Sequence, residues 1–149
     1  MKDDDIIQML RDLEIFGIKS TDRFYKNIVK LINTDKIKFI KEFSKDMKFI
    51  DINAYNRFER LYPNTDKQKK ILANDELYRY EYRRSNKNVK CIFVLIKSDG
   101  TRVLLNAFNE DGDKQKGNDS YKKNIELAIQ ILSEIKGEIL WVLYLIHTV

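Results

Sequence analysis

The hydrophobic positions in the first half of the chain recur mostly every three or four residues, the spacing of amphipathic helices. Residues that can cap a helix precede two of these groups, "STD" at 20–22 and "NTD" at 33–35. Pro63 predicts the end of another helix, and a short one follows that ends near Leu72. The predicted apolar faces are Ile6, Leu10 and Leu13; Phe24, Ile28, Leu31 and Ile32; Ile37, Ile40, Phe43 and Met47; and Tyr55, Phe58 and Leu61. Residues 1–75 are therefore predicted to be mainly helical.

From residue 76 onward, three strand-like segments are separated by two short turns. "ELYRYEYRR" at 76–84 alternates polar and apolar residues, which predicts a strand with one exposed face. "VKCIFVLIK" at 89–97 is a nearly continuous apolar run, typical of a central strand, and "RVLLNAF" at 102–108 predicts a third strand. The connecting turns, "SNKN" and "SDGT", have the length of hairpin turns. The pattern indicates an antiparallel meander.

A single long helix is predicted after residue 120, ending at Gly137. Its apolar stripe and capping side chains are Tyr121, Ile125, Ala128, Ile129, Leu132 and Ile135, preceded by Asn118, Asp119 and Ser120. The following segment, 138–149, contains an eight-residue apolar run from Ile139 to Ile146. A membrane-spanning helix needs roughly 20 apolar residues. We therefore expect a buried strand or an interface segment, and no membrane association.

These elements predict one α+β domain over residues 1–149, with a small antiparallel β-sheet packed against helices. The sheet is expected to be a meander of three or four strands. The predicted domain consists of a mainly helical region at 1–75, a meander plus helix at 76–136, and an apolar segment at 138–149. The 43% hydrophobic content is sufficient for a packed core.

The composition excludes several kinds of chemistry. Cys91 is the only cysteine and His147 the only histidine, so the chain has no intramolecular disulfide and no two-histidine metal site, and catalysis by a Cys-His or Ser-His pair is not expected. Cys91 is expected to be a small buried apolar residue. The opening segment "MKDDDIIQML" is acidic and lacks the apolar core of a signal peptide, which favours a cytoplasmic location.

The charges are unevenly placed along the chain. The net charge is +5, although a lysine-rich composition can follow from AT-rich coding alone. Residues 76–123 carry 11 Lys or Arg against 7 Asp or Glu, whereas residues 124–149 carry 1 against 3. The positive excess of the meander and its following loop is compatible with a phosphate backbone as ligand.

The loop "NEDGDKQKGNDS" at 109–120 has the alternate acidic spacing of a calcium loop, but other required residues are missing. Its sixth position is Lys114 where a glycine is needed, and its twelfth is Ser120 where a glutamate is needed. The chain also lacks a Walker-type phosphate loop, a GxGxxG motif and a GxSxG motif. No metal or other cofactor is therefore expected.

Residues 69–132, "KKILANDELYRYEYRRSNKNVKCIFVLIKSDGTRVLLNAFNEDGDKQKGNDSYKKNIELAIQIL", resemble the RelE/ParE superfamily of toxin-antitoxin toxins, close to the HigB or phage Gp49-like branch. The resemblance lies in the order of features: the lead-in "KIL" before "LYRYEYR", the "VKCIFVL" strand, "VLLNAF", a basic loop, and an amphipathic helix with alanine in its stripe. It implies a RelE-like fold with an added helical region at its N-terminal side.

The resemblance implies a ribosome-dependent mRNA endoribonuclease, a hydrolase-class toxin that inhibits translation and is held inactive by a cognate antitoxin protein. Cleavage by the RNA's own 2′-hydroxyl needs a base, an acid and cations for the phosphorane charge. Tyrosine, lysine and arginine can share these roles if a cationic site lowers the tyrosine pKa from about 10. The implied partners are mRNA, the ribosome and the antitoxin, in a homodimer or a toxin-antitoxin hetero-oligomer.

The site residues are carried over from the family by position. The implied catalytic residues are Arg79, Lys90, Lys116 and Tyr121, and the implied RNA-binding residues are Arg83, Arg84 and Lys114. Lys90 stands where the family commonly has an arginine, and Tyr121 matches a tyrosine at the start of the last helix in RelE-like members.

Other interpretations of the same residues stay open. Tyr121 also begins an apolar stripe and fits a core position, while the arginines of 76–84 fit a solvated strand face. Lys90, in a central strand, needs either an open face or a partner. Because Glu81 and the loop carboxylates oppose the positive field, the alternative function is a RelE/ParE-fold binding protein without nuclease activity, either a gyrase inhibitor or a phage-encoded interaction module.

Overall fold

The computed structural model of the chain describes residues 4–32, 34–49, 57–83, 88–110 and 121–137. The helices in these ranges are α1 (Asp4–Glu14), α2 (Asp22–Leu31), α3 (Lys36–Lys48), α4 (Asp66–Leu72) and α5 (121–137). The strands are β1 (Ile18–Ser20), β2 (Phe58–Leu61), β3 (Glu76–Arg83), β4 (Asn88–Leu95) and β5 (Arg102–Glu110). The predicted caps at 118–120, most of the turn at 85–88 and the segment 138–149 lie outside the described residues.

The helices form where their caps predict them. Thr21 accepts a hydrogen bond from the backbone N–H of Phe24 at 3.1 Å and begins α2, and Thr65 caps α4 in the same way. Gly17 follows α1 with a φ of 75°, a left-handed conformation that favours glycine. The predicted helices α1 to α5 are confirmed within the described ranges. The prediction that Ile37 lies on the apolar face of α3 is wrong, because Ile37 is 70% exposed and Phe39 is buried instead.

The five strands form one mixed sheet in the order β1-β5-β4-β3-β2. The consecutive strands β3, β4 and β5 are antiparallel neighbours, which confirms the predicted meander. The prediction of a wholly antiparallel sheet of three or four strands is wrong, because β1 pairs parallel to β5 at one edge and β2 pairs with β3 at the other. β1 has three residues and one fully buried side chain, Ile18, so no alternation marks it in the sequence.

The predicted helix around Phe58 and Leu61 is wrong, since Phe58–Leu61 is strand β2; Tyr55 lies outside the described residues. Side chains three positions apart share a helix face but point to opposite faces of a strand. Phe58 packs against Tyr80 on one face of the sheet, while Leu61 belongs to the hydrophobic cluster on the other. Both positions are apolar because both faces of the sheet are buried here.

Two hydrophobic layers enclose the sheet. On one face, α1, α2 and α3 pack on aromatic side chains of the strands, with Phe43 edge-on to Tyr80 at a ring-centroid distance of 5.4 Å. The hydroxyl of Tyr80 donates to Asp46 Oδ2 at 2.6 Å, which satisfies a polar group within this layer. Cys91 is fully buried here as a free thiol, as predicted. On the other face, α4 and α5 cover an aliphatic cluster that includes Leu77.

The prediction that β3 exposes one face is wrong, because its residues are buried from Leu77 to Tyr82. The polar side chains of Arg79 and Glu81 alternate with the buried tyrosines and point to the face that α5 covers. Their side chains are 9% and 5% exposed, respectively. The polar residues that alternate along β3 therefore lie in a second buried layer, where their charged side chains form ion pairs with one another.

β5 carries one irregularity that sets which of its residues faces the charged part of β4. Phe93 pairs with Leu104 and Ile92 with Asn106, so Leu105 is an extra residue in the ladder. Beyond this bulge, Phe108 stands directly opposite Lys90. The bulge thereby places an aromatic ring, and α5 above it, next to a buried lysine.

Candidate functional site

A cluster of charged side chains lies where β3 ends and β4 begins, on the face of the sheet that α5 covers. We call it the Glu81 cluster; its members are Glu59, Arg79, Glu81, Lys90 and Glu110. Strand register brings them together, because Glu59 is the cross-strand partner of Arg79 and Glu81 that of Lys90. The cluster combines residues from β2, β3, β4 and β5.

Lys90 is bound by two carboxylates. Its Nζ lies 2.6 Å from Glu81 Oε1 and 3.1 Å from Glu110 Oε2, and its side chain is 5% exposed. A buried ammonium ion is costly unless it is paired and hydrogen-bonded. A lysine in a central strand needs either an open face or a partner, and Lys90 has two partners within the protein.

Arg79 is bound in the same way. Its guanidinium donates through one terminal nitrogen to Glu81 Oε2 at 3.2 Å and through the other to Glu59 Oε2 at 2.6 Å. Arg83, whose side chain is 72% exposed, places its Nε 3.5 Å from the same Glu81 oxygen. Glu81 thus uses one oxygen for Lys90 and the other for two arginines.

The described charges of this region balance. The three cations Arg79, Arg83 and Lys90 face the three carboxylates Glu59, Glu81 and Glu110. An anionic ligand is attracted by an excess of positive charge, and these six described groups provide none. Among these six groups the three positive charges are therefore offset by three carboxylates, one of which, Glu59, comes from outside residues 76–123.

The pKa of Glu81 lies below its ordinary value. Burial opposes its ionisation, but the hydrogen bond from Lys90 and the charges of Lys90, Arg79 and Arg83 outweigh that effect. The carboxylate is therefore ionised at neutral pH and remains a strong acceptor for both cations.

Tyr121, at the start of α5, lies beside the cluster and packs edge-on against Phe108 at a ring-centroid distance of 5.7 Å. Burial raises the pKa of its phenol; Arg79 lowers it by a smaller amount, and Glu59, Glu110 and Glu81 raise it further. A base that takes a proton from an RNA hydroxyl needs the opposite shift. The expected lowering of the tyrosine pKa is therefore not found among the described groups.

The structure brings together Arg79, Arg83, Lys90 and Tyr121, four of the seven predicted site residues. The other three, Arg84, Lys114 and Lys116, lie outside the described residues. The sequence analysis does not predict Glu59 as a partner of Arg79, because it assigns Phe58 and Leu61 to a helix. A strand interpretation would have placed this acidic residue beside a basic one on a neighbouring strand.

The described ranges also lack the features of two other kinds of site. No group of three or more His, Cys, Asp or Glu residues within them is arranged to hold a metal ion. None of the helices in the described part of the chain has both the length and the apolar character needed to cross a membrane.

Comparison with known proteins assigns no family to this arrangement: no family model, no curated protein and no solved structure matches the chain.

The energetic role of the Glu81 cluster can be tested by removing its charges one at a time. We expect Lys90→Met or Glu81→Gln to lower the free energy of unfolding by on the order of 3 kcal/mol, because each removes the buried ion pair of 2.6 Å between Lys90 and Glu81 and leaves a buried charge with fewer partners. The double variant should cost clearly less than the sum of the two single variants. Urea unfolding of the four proteins measures this coupling.

The control for this experiment is Lys97→Met. Lys97 lies just after β4 and, like Lys90, forms an ion pair with a glutamate, Glu76, at 3.2 Å, but its side chain is 50% exposed. An exposed pair contributes at most about 1 kcal/mol. Additive effects of Lys90→Met and Glu81→Gln would contradict the described pairing.

The lowered pKa of Glu81 predicts a pH dependence of stability. A carboxyl group with a depressed pKa in the folded state stabilises the fold above its unfolded pKa, about 4.3, and this contribution is lost as the pH falls through the folded value. Stability should therefore decrease below about pH 4.3, and Glu81→Gln should flatten part of that decrease. Unfolding measured by urea from neutral pH downward tests this, and identical profiles for both proteins would refute it.

Proposed function

We propose that this chain acts as a RelE/ParE-like binding protein that inhibits a protein partner and does not cleave RNA. The observation that carries the proposal is the pairing of both buried cations with carboxylates, at 2.6 Å for Lys90 with Glu81 and 2.6 Å for Arg79 with Glu59. Charge-assisted bonds of this length are among the strong hydrogen bonds of proteins. An RNA phosphate would have to displace them before it could be bound.

The state of Tyr121 supports the same conclusion. Burial raises the pKa of its phenol, which is the opposite of the shift that a base activating a 2′-hydroxyl needs. Its ring packs against Phe108 and belongs to the cluster under α5. A structural role in seating the first turn of α5 accounts for these contacts.

An exposed apolar surface supports a protein as the partner. Ile15, Phe16 and Phe49 are 83%, 47% and 73% exposed, and we call them the Phe16–Phe49 patch. They lie at the same end of α1 and α3, since the Lys48 ammonium is 5.0 Å from the centre of the Phe16 ring. Exposed aromatic side chains grouped with a cation are common at protein interfaces.

DNA gyrase is the partner of the ParE branch of the superfamily that the chain resembles, and inhibition of its supercoiling activity by the purified chain tests the proposal. We expect inhibition by the unaltered chain and by Tyr121→Phe, whose ring packing is preserved. Phe49→Lys should weaken inhibition by at least about tenfold, which corresponds to roughly 1.4 kcal/mol of binding free energy. Ile37→Lys is the matched control, because Ile37 is 70% exposed at the opposite end of α3.

A second candidate, a ribosome-dependent endoribonuclease, is favoured by the convergence of Arg79, Lys90 and Tyr121 beside one end of the sheet. Cutting of ribosome-bound mRNA by the unaltered chain, with loss of cutting in Tyr121→Phe and Lys90→Met, would establish this candidate and overturn the binding proposal. Unchanged supercoiling in the presence of the chain would reject gyrase as its partner.

A further inference from the structure

The outer surfaces of α1 and α3 carry opposite net charges. Between Lys36 and Lys48, α3 has five lysines against Glu42 and Asp46, a net charge of +3. Between Asp4 and Glu14, α1 has four acidic residues against Arg11, a net charge of −3. The fully exposed charged residues among them are Lys38, Lys41, Glu42 and Lys45 on α3 and Asp4, Asp5, Arg11, Asp12 and Glu14 on α1. Each helix therefore presents an excess of one sign of charge to the solvent.

The lysines of α3 form a row along its outer side. Lys38, Lys41, Lys45 and Lys48 recur every three or four residues, which places them on one face of the helix. None of the four forms an ion pair with another residue of the described ranges. Like charges at this spacing destabilise a helix. A partner that supplies carboxylates along α3 would remove this repulsion.

α1 and α3 are neighbours on the same face of the sheet and end at the same place. The side chains that they bury belong to one cluster against the sheet, so their charged sides face outward. Arg102 lies at the common end: its backbone N–H donates to the carbonyl of Gly17 at 2.9 Å, and its guanidinium donates to the carbonyl of Met47 at 2.6 Å. The Lys48 ammonium lies 5.0 Å from the centre of the Phe16 ring. An acidic and a basic helix are therefore adjacent on one surface.

This arrangement selects the kind of partner. A polyanion such as a nucleic acid is attracted by α3 but repelled by the neighbouring α1. A partner that matches both helices must present a basic element opposite α1 and an acidic element opposite α3. A second copy of the chain meets this requirement, because a twofold axis that runs between the two helices, along their outer surfaces, places α1 of each copy on α3 of the other.

The same axis brings apolar surfaces together. The exposed side chains of the Phe16–Phe49 patch lie where both helices end. Because the axis runs along the helices, this end of one copy meets the same end of the other. The two patches then cover each other, and the burial of their apolar area adds to the charge complementarity of the helices.

The expected contact area is small. α3 has 13 residues and is therefore about 20 Å long, and two neighbouring helices are together about 20 Å wide. They offer on the order of 400 Å² per copy, about half of the roughly 800 Å² that each partner contributes to a standard interface. The dimer should therefore dissociate on dilution, and it should weaken as salt screens the charges of α1 and α3.

We propose that the outer surface of α1 and α3 binds a second copy of this chain, in a twofold-symmetric dimer in which the acidic α1 of each copy lies on the basic α3 of the other. The inference does not rest on the proposed function, because it follows from the charges of α1 and α3. It has a consequence for that function: the dimer covers the Phe16–Phe49 patch, so dimerisation and binding of a protein partner through the patch exclude each other.

Charge reversal on each helix tests the dimer. Lys38→Glu with Lys41→Glu leaves α3 with three lysines against four acidic residues, a net charge of −1. Asp12→Lys with Glu14→Lys leaves α1 with three basic residues against two acidic ones, a net charge of +1. Sedimentation velocity should show each double variant as a monomer at concentrations at which the unaltered chain is a dimer. An equimolar mixture of the two should form a heterodimer, because both helices of one chain are then acidic and both helices of the other are basic.

Lys67→Glu with Lys70→Glu is the matched control, because both lysines are exposed on α4, across the sheet, and the change in net charge equals that of the α3 variant. This control should remain dimeric. The salt dependence of the unaltered dimer needs no variant and therefore tests the proposal even where a charge reversal disturbs a helix. The proposal is overturned by an unaltered chain that stays monomeric at every soluble concentration, or by a dimer that rising salt does not weaken. Folded variants that stay dimeric alone, or that do not associate on mixing, would also overturn it.

Discussion

A single buried carboxylate, that of Glu81, organises the charged part of this protein. One of its oxygens accepts from Lys90 at 2.6 Å and the other from Arg79 at 3.2 Å. A buried charge is unfavourable without a partner, and Glu81 is the one carboxylate of the cluster that both Lys90 and Arg79 share. The charged side chains of the central strands can therefore be buried on this face because they bind one another.

This constraint links the fold to the function. The cluster lies at the end of the sheet at which α5 begins. There the sheet is covered by α1 to α3 on one face and by α4 and α5 on the other. Cations that would bind phosphate in a nuclease are here part of the packing between sheet and helix. Among the described residues, the Phe16–Phe49 patch remains exposed.

The sequence predicted the helices and the meander well because both have regular periods and clear caps or turns. It failed for β2, where apolar residues at Phe58 and Leu61 serve two different faces, and for β1, which is too short to show a period. The resemblance implied that Arg79, Lys90 and Tyr121 share one region, and the structure places these three side chains near one end of the sheet. Their pairing with Glu59 depends on strand register across the sheet, which local patterns do not specify.

The charge state that follows from this pairing distinguishes a binding protein from a nuclease. A site with paired cations has little free positive charge, so binding to RNA should be weak and depend little on salt. Removal of Glu81 should release cationic charge and strengthen RNA binding, whereas removal of Lys90 from the intact cluster should not weaken it.

The most direct test is the affinity of a short single-stranded RNA for the unaltered chain, Lys90→Met and Glu81→Gln, measured over a range of salt concentrations. We expect weak binding with similar salt dependence for the unaltered chain and Lys90→Met, and tighter, more salt-sensitive binding for Glu81→Gln. Tight binding by the unaltered chain, with a salt slope that Lys90→Met reduces by about one, would show that Lys90 contacts phosphate and would contradict this account.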